Sequence, residues 1–275
     1  MRPAASLQAY LRKPQGTYVA GSTFLHLCHN AKTNALFLWG RPSADDIEEL
    51  VGLLRGAAAL PRVGAYVSYA DVRGLTGADP AAYQCLAEYH ESAREVLKTR
   101  TVAQAVVRGH GFAASVAAGF FAVVAPPFPY RVFAEPREAA AWLRVDLQVV
   151  EAWEALKDEV VKTGRDVTEL RAWLAHSFRE ANVELAARRL TVSIRTLQRR
   201  LRTAGTSFQR ELDSARLSAA KERLEAHDTR LGSLACDLGF ATQRHLTDWF
   251  RRLTGQAPSE YRRTFLPRGS GGLTK

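Results

Sequence analysis

One pattern occurs twice in the C-terminal third of this 275-residue chain, and it constrains the fold more than any other feature. The first copy runs from Val183 to Leu201 and the second from Leu234 to Arg252. Each has a short helical stretch with a small residue for the interior (Ala186, Ala235) and then a tight turn. A second helix follows, opened by a hydroxyl cap, Ser193 or Thr242. In each second helix two apolar residues four apart face inward, Leu197 with Leu201 and Leu246 with Phe250. Apart from Trp249, the positions between them are polar or charged. A small residue that lets two helices cross closely, followed by a helix with one exposed face, meets the requirements of a helix-turn-helix. No strand pattern occurs from Asp146 onward, so this region is expected to be all-α.

The charge follows the repeat. The chain holds 38 Lys+Arg against 28 Asp+Glu, a net +10. Residues 1–165 contribute +2, residues 166–265 contribute +6, and 266–275 add +2. Between Arg165 and Arg268 the sole lysine is Lys221. Arginine's planar fork suits bidentate contacts to phosphate and guanine, so the basic third is expected to meet an anionic polymer.

Several further residues stand in order around the repeat. They include Ser193-Ile194-Arg195-Thr196-Leu197-Gln198-Arg199, Gly205-Thr206-Ser207-Phe208, Arg216 and Leu238-Gly239-Phe240. Phe250-Arg251-Arg252-Leu253-Thr254-Gly255 and Ala257-Pro258-Ser259-Glu260-Tyr261-Arg262 complete the series. Over residues 166–265 the chain resembles the DNA-binding domain of the AraC/XylS family of transcription regulators. The resemblance implies base-reading roles for Arg195, Gln198 and Arg199 in the first recognition helix. In the second it implies them for Gln243, Arg244, Thr247 and Asp248. Phosphate contacts would come from Ser193, Thr196, Arg200, Thr242, Arg251 and Arg252. Asp248 departs from the family's basic or polar reader; an acid there accepts from a cytosine amino group or ties down Arg244 or Arg251. The first turn, Leu190-Thr191-Val192, lacks the glycine many relatives carry. A helical stretch from Phe208 to about Ala226 spans roughly 28 Å, enough to set two recognition helices about one DNA turn apart.

Ahead of this domain, strands alternate with helices, which predicts a sheet covered by helices. Strands are expected at Phe24–Cys28, Ala35–Trp39, Ala65–Asp71, Thr101–Val107 and Arg131–Ala134. Helices are expected after Ser43, from Asp79-Pro80, from about Ala113, and over Pro136–Leu143. The first 23 residues carry little pattern and read as an arm or a short lead-in. This α/β order resembles the STAS/SpoIIAA-like fold, and Asp79-Pro80 stands where phosphorylated members carry a serine or threonine, so no phosphoswitch is carried over. The domain boundaries expected are 1–145 for a regulatory αβ domain, 146–165 for a helical linker, 166–265 for the reader and 266–275 for a mobile tail. Val149, Trp153, Leu156 and Val160 form a heptad-like stripe that serves either the domain's own packing or a dimer seam. Lys162-Thr163-Gly164-Arg165 is expected to end that helix, with Asp166 and Glu169 capping the next.

Three features imitate an enzyme. Gly109-His110-Gly111-Phe112-Ala113-Ala114 with Glu135 imitates a dinucleotide fingerprint, for which a tight turn is the simpler account. His26, Cys28 and His29 cluster near a strand end without further metal ligands. Asp71, His90 and His110 lack a nucleophile motif. The expectation is therefore a non-enzymatic, cytoplasmic transcription regulator, an activator rather than a repressor, that binds double-stranded DNA. It is expected to use no cofactor or metal and no membrane. A second copy of the chain is an expected partner, RNA polymerase a candidate one, and the effector of residues 1–145 is open. The rival readings are a protein–protein switch with secondary DNA binding, and a DNA-targeted enzyme with its site in residues 1–145.

Overall fold

The computed structural model describes residues 1–58, 64–77, 79–111, 115, 119–121, 123–226 and 230–265. The chain divides into two compact units, Met1–Val161 and Lys162–Lys275. The first is α/β and the second, among its described residues, is helical throughout.

The N-terminal unit is built on a seven-stranded sheet whose strands lie side by side in chain order. These are β1 (Arg2–Pro3), β2 (Thr17–Ala20), β3 (Phe24–Asn30), β4 (Thr33–Gly40), β5 (Tyr66–Leu75), β6 (Thr101–Val107) and β7 (Tyr130–Phe133). Strands β2, β3 and β4 pair antiparallel, and β4 to β7 pair parallel. Parallel neighbours need crossovers, which is why helices alternate with these strands. They are α2 (Ala44–Ala58), then α3 (Pro80–Ser92) with α4 (Arg94–Arg100). The caps are those expected. Ser43 and Asp46 exchange backbone and side-chain hydrogen bonds at 2.9 and 3.2 Å, and the Asp79 carboxylate accepts from the Ala81 N–H beside Pro80.

Period-two alternation separates two cores. Leu25, Leu27, Phe37, Tyr69 and Val107 face α5 (Pro136–Leu143) and the first half of α6 (Leu147–Ser177). Phe24, Leu38 and Leu36 face α2 and α3. Arg73 bridges Asp71, at 2.6 Å, and Glu154 of α6.

Two expectations need correction. The first 23 residues are not an arm: α1 (Leu7–Arg12) buries Tyr10, and β1 and β2 join the sheet. Elements of two to six residues are too short to show a period. Residues 162–165 do not end a helix, since α6 runs through them. Gly164 costs a helix interior only about 1 kcal/mol, and burial of Val167 in the core of the C-terminal unit offsets that cost. Asp166 is accordingly no cap. Val149, Leu156 and Val160 pack, partly buried, on the sheet of their own unit beside the fully buried Trp153, which is the first of the two roles expected of that stripe. Residues 266–275 and most of the helix expected from Ala113 lie outside the described residues.

Candidate nucleic-acid interface

The C-terminal unit has two small cores. Val167, Leu170 and Leu174 of α6 pack with α7 (Val183–Arg189) and α8 (Ile194–Thr203). Ala220 and Leu224 of α9 (Phe208–Glu225) pack with α10 (Leu231–Asp237) and α11 (Gln243–Thr254). A last helix, α12 (Pro258–Phe265), brings Tyr261 against Phe250 and within 2.7 Å of Glu225.

Both motifs close their turn with the same hydrogen bonds. After α7, Thr191 N–H donates to Arg188 and Val192 N–H to Ala187, at 3.1 and 3.0 Å. After α10, Gly239 N–H donates to Cys236 and Phe240 N–H to Ala235, at 3.0 and 2.8 Å. This is a Schellman motif, whose first residue beyond the cap adopts a left-handed backbone. Gly239 does so at φ 78°, Thr191 at φ 52°. The pairing equates Ala187, rather than Ala186, with Ala235, and the second turn carries one extra residue, Ala241, before its cap.

The recognition helices then start alike. Ser193 Oγ accepts from Thr196 N–H and Thr242 Oγ1 from His245 N–H, both at 3.1 Å. Leu197, Leu201, Leu246 and Phe250 are fully buried, as their spacing required. Arg195, Gln198 and Arg199 are exposed along one face of α8. Arg202, absent from the expected set, continues that face at the next helical step, a signal its spacing already carried.

On α11 the exposed face is Arg244, Asp248 and Arg251, with Gln243 at its start and Arg252 beside it. Arg244 and Asp248 approach to 3.9 Å, and the arginine side chain is 92% exposed. Thr247 is half-buried and donates to the Gln243 carbonyl at 2.9 Å, so its hydroxyl proton is committed to the helix.

One residue expected to contact phosphate is engaged inside the unit. Arg200 turns inward and binds buried Asp166 at 2.5 Å, with only 13% of its side chain exposed. Counting from the caps, Trp249 holds the same place in α11; its indole N–H donates to Asp213 at 3.0 Å. Three more ion pairs, among the described residues, brace the unit. Arg171 forks Glu211 at 2.7 and 3.0 Å, which holds that carboxyl below its usual range. Asp237 accepts from Arg179 at 2.7 Å and also pairs with Arg223.

Residues 186–264 match the family described as a helix-turn-helix domain. The C-terminal unit is an AraC-type helix-turn-helix domain. An HTH-type transcriptional activator RhaS of Escherichia fergusonii is 36% identical over 115 residues, 39% of this chain and 41% of that one. The chain therefore spans about two fifths of that relative's length. A solved AraC-type regulator from Chromobacterium violaceum is 21% identical, with TM-score 0.36, over 38% of this chain and 96% of that one. A protein with a SpoIIAA-like fold from Shewanella loihica is 20% identical, with TM-score 0.32, over 40% of this chain and 83% of that one. At such scores neither structure carries weight.

The enzyme-like clusters do not assemble. His26 accompanies Tyr10 on one sheet face, whereas His29 packs edge-on to Trp153 on the other. Asp71 is taken by Arg73, and His90 sits among Tyr89 and Phe120 with its Nδ1 on the Leu86 carbonyl. Gly109 to Gly111 end the described part of the glycine-rich stretch; Phe112 to Ala114 lie outside it. Among the described residues no three metal-ligating side chains converge, and no helix is long and apolar enough to cross a membrane.

Proposed function

We propose that the chain is a non-enzymatic transcription regulator, acting in the cytoplasm, whose AraC-type unit lays α8 and α11 in successive major grooves of one DNA face. The observation that carries this is the pair of capped helices, each with a buried Leu or Phe seam and an arginine-bearing exposed face. The 18-residue α9 between the motifs is about 27 Å long, close to the ~34 Å of one DNA turn. A stiff spacer slightly short of the turn favours bending the duplex, so part of the specificity would be indirect.

The two faces differ in what they can read. Arg195, Gln198 and Arg199 offer bidentate donors for guanine and adenine, each worth about 1–3 kcal/mol of discrimination. On α11, Asp248 can accept from a cytosine amino group, at the cost of repelling phosphate. Activation, rather than repression, is supported by the likeness to RhaS, a transcriptional activator. A second copy of the chain and RNA polymerase are the further partners of this reading.

Selection of duplexes from a random library by the full chain tests the reading. The selected duplex should compete at least ~10³-fold better than unselected DNA at one stated salt concentration, and its protection should fall in two patches about one turn apart. A selected duplex that binds no better than the starting pool would refute it.

A further inference from the structure

Between the sheet and helices α2, α3 and α4 of the N-terminal unit lies a cavity of about 170 Å³. An apolar cavity of ~150 Å³ accepts a benzene ring. Its floor is the sheet face, and the strand register lays that floor out in rows. One row is apolar: Leu36 opposite Ala70, and Ala70 opposite Val106. The next is polar: Asn34 opposite Ser68, and Ser68 opposite Gln104. All six line the cavity.

A polar row across a sheet face that otherwise packs Leu, Ile and Phe calls for an account. Its internal bonding is weak. Gln104 Nε2 reaches Ser68 Oγ only at 3.4 Å, and the Asn34 side chain has no hydrogen-bond partner among the described residues. His26 stands opposite Leu36, at the β3 end of the apolar row; it is buried, with Tyr10 Oη at 2.8 Å as the ring's one hydrogen-bond partner among the described residues. Burial brings the His26 pKa down to about 4, so the ring is neutral at physiological pH. Among the described residues no lysine or arginine lines the cavity, and the one acid there, Asp79, is committed to capping α3. None of these described side chains would neutralise an anion, and a buried unpaired charge is costly.

We propose that this cavity binds a neutral molecule the size of one substituted six-membered ring, with its body on Leu36, Ala70 and Val106 and one hydroxyl or carbonyl head on the Ser68–Gln104 row. The proposal is independent of the DNA reading, because it is read by ligand binding alone.

Titration calorimetry of the full chain with p-cresol, toluene and benzoate tests it. p-Cresol should bind saturably at one site per chain with Kd below roughly 1 mM. Benzoate, which differs mainly in its charge, should give no saturable heat. Ala70→Leu fills the floor and should abolish p-cresol binding with the thermal transition retained. Gln104→Leu, at a half-buried position, should weaken p-cresol roughly 3–10-fold while leaving toluene unchanged. The proposal is overturned if neither p-cresol nor toluene binds the unaltered chain, or if benzoate binds as tightly as p-cresol. It is equally overturned if Ala70→Leu binds p-cresol normally. Should Ala70→Leu not fold, an unchanged p-cresol-to-toluene ratio in Gln104→Leu overturns the head-group assignment.

Discussion

The two helix-turn-helix motifs reach one backbone geometry from different residues. Matched from their caps, Arg195 corresponds to Arg244, Gln198 to Thr247, Arg199 to Asp248, Arg200 to Trp249 and Arg202 to Arg251. The buried seam and the cap are chemically alike, because packing and orphan N–H groups demand the same answer twice. The exposed face is not alike. α8 is uniformly cationic or amide, while α11 alternates Arg244 with Asp248 at 3.9 Å. The difference teaches that the fold constrains the inside of each motif and leaves the outside to the partner.

The largest expected effect comes from the inner position where the motifs diverge. Arg200→Met leaves the Asp166 carboxylate buried without its partner and should cost about 3–5 kcal/mol in denaturant unfolding. Trp249→Phe removes one N–H from Asp213, which is only half-buried, and should cost about 1 kcal/mol. Equal losses would break the comparison.

Next come the outer faces. Arg195→Ala and Arg199→Ala should each weaken binding to the selected duplex by about 1–3 kcal/mol in competition assays. Asp248→Ala should change affinity less, and should lower the salt dependence of neither motif. A smaller effect separates the turns. Thr191→Gly relieves a left-handed β-branched residue at some entropic cost and should raise stability by about 0.5–1 kcal/mol. Gly239→Ala should lower it by about 1–2 kcal/mol, since its φ of 78° strains any side chain.

The smallest effect is on pH. Arg171 depresses the pKa of Glu211, so this pair's contribution is fully present above the unfolded carboxyl value and is lost as pH falls through the folded one. Arg171 is 63% exposed, so the loss should be about 1 kcal/mol or less, seen as a lower Tm in acid that Glu211→Gln removes.

These differences also mark where the sequence was legible. The seam residues, the caps at Ser193, Thr242 and Asp79, and the strands from Phe24 to Val107 follow from periodicity and local hydrogen bonding, which a sequence displays directly. The inward turn of Arg200 does not, because its partner Asp166 is far along the chain and a helical arginine reads the same whether it faces solvent or an acid. The short elements before Phe24 show no period, and their burial depends on neighbours supplied by the sheet. Gly164 marked a helix end by composition alone, and the packing of Val167 in the core of the C-terminal unit overrode it.

The central proposal is that the AraC-type unit reads DNA through both recognition helices, with more of the discrimination on the cationic face of α8 than on the mixed face of α11. Its most direct test is the affinity ratio of selected over unselected duplex for the full chain, its Arg195→Ala/Arg199→Ala variant and its Arg244→Ala variant, all at one salt concentration. The proposal predicts that the double variant loses most of the ratio and Arg244→Ala loses less than about tenfold. A double variant that keeps the ratio of the unaltered chain would contradict it.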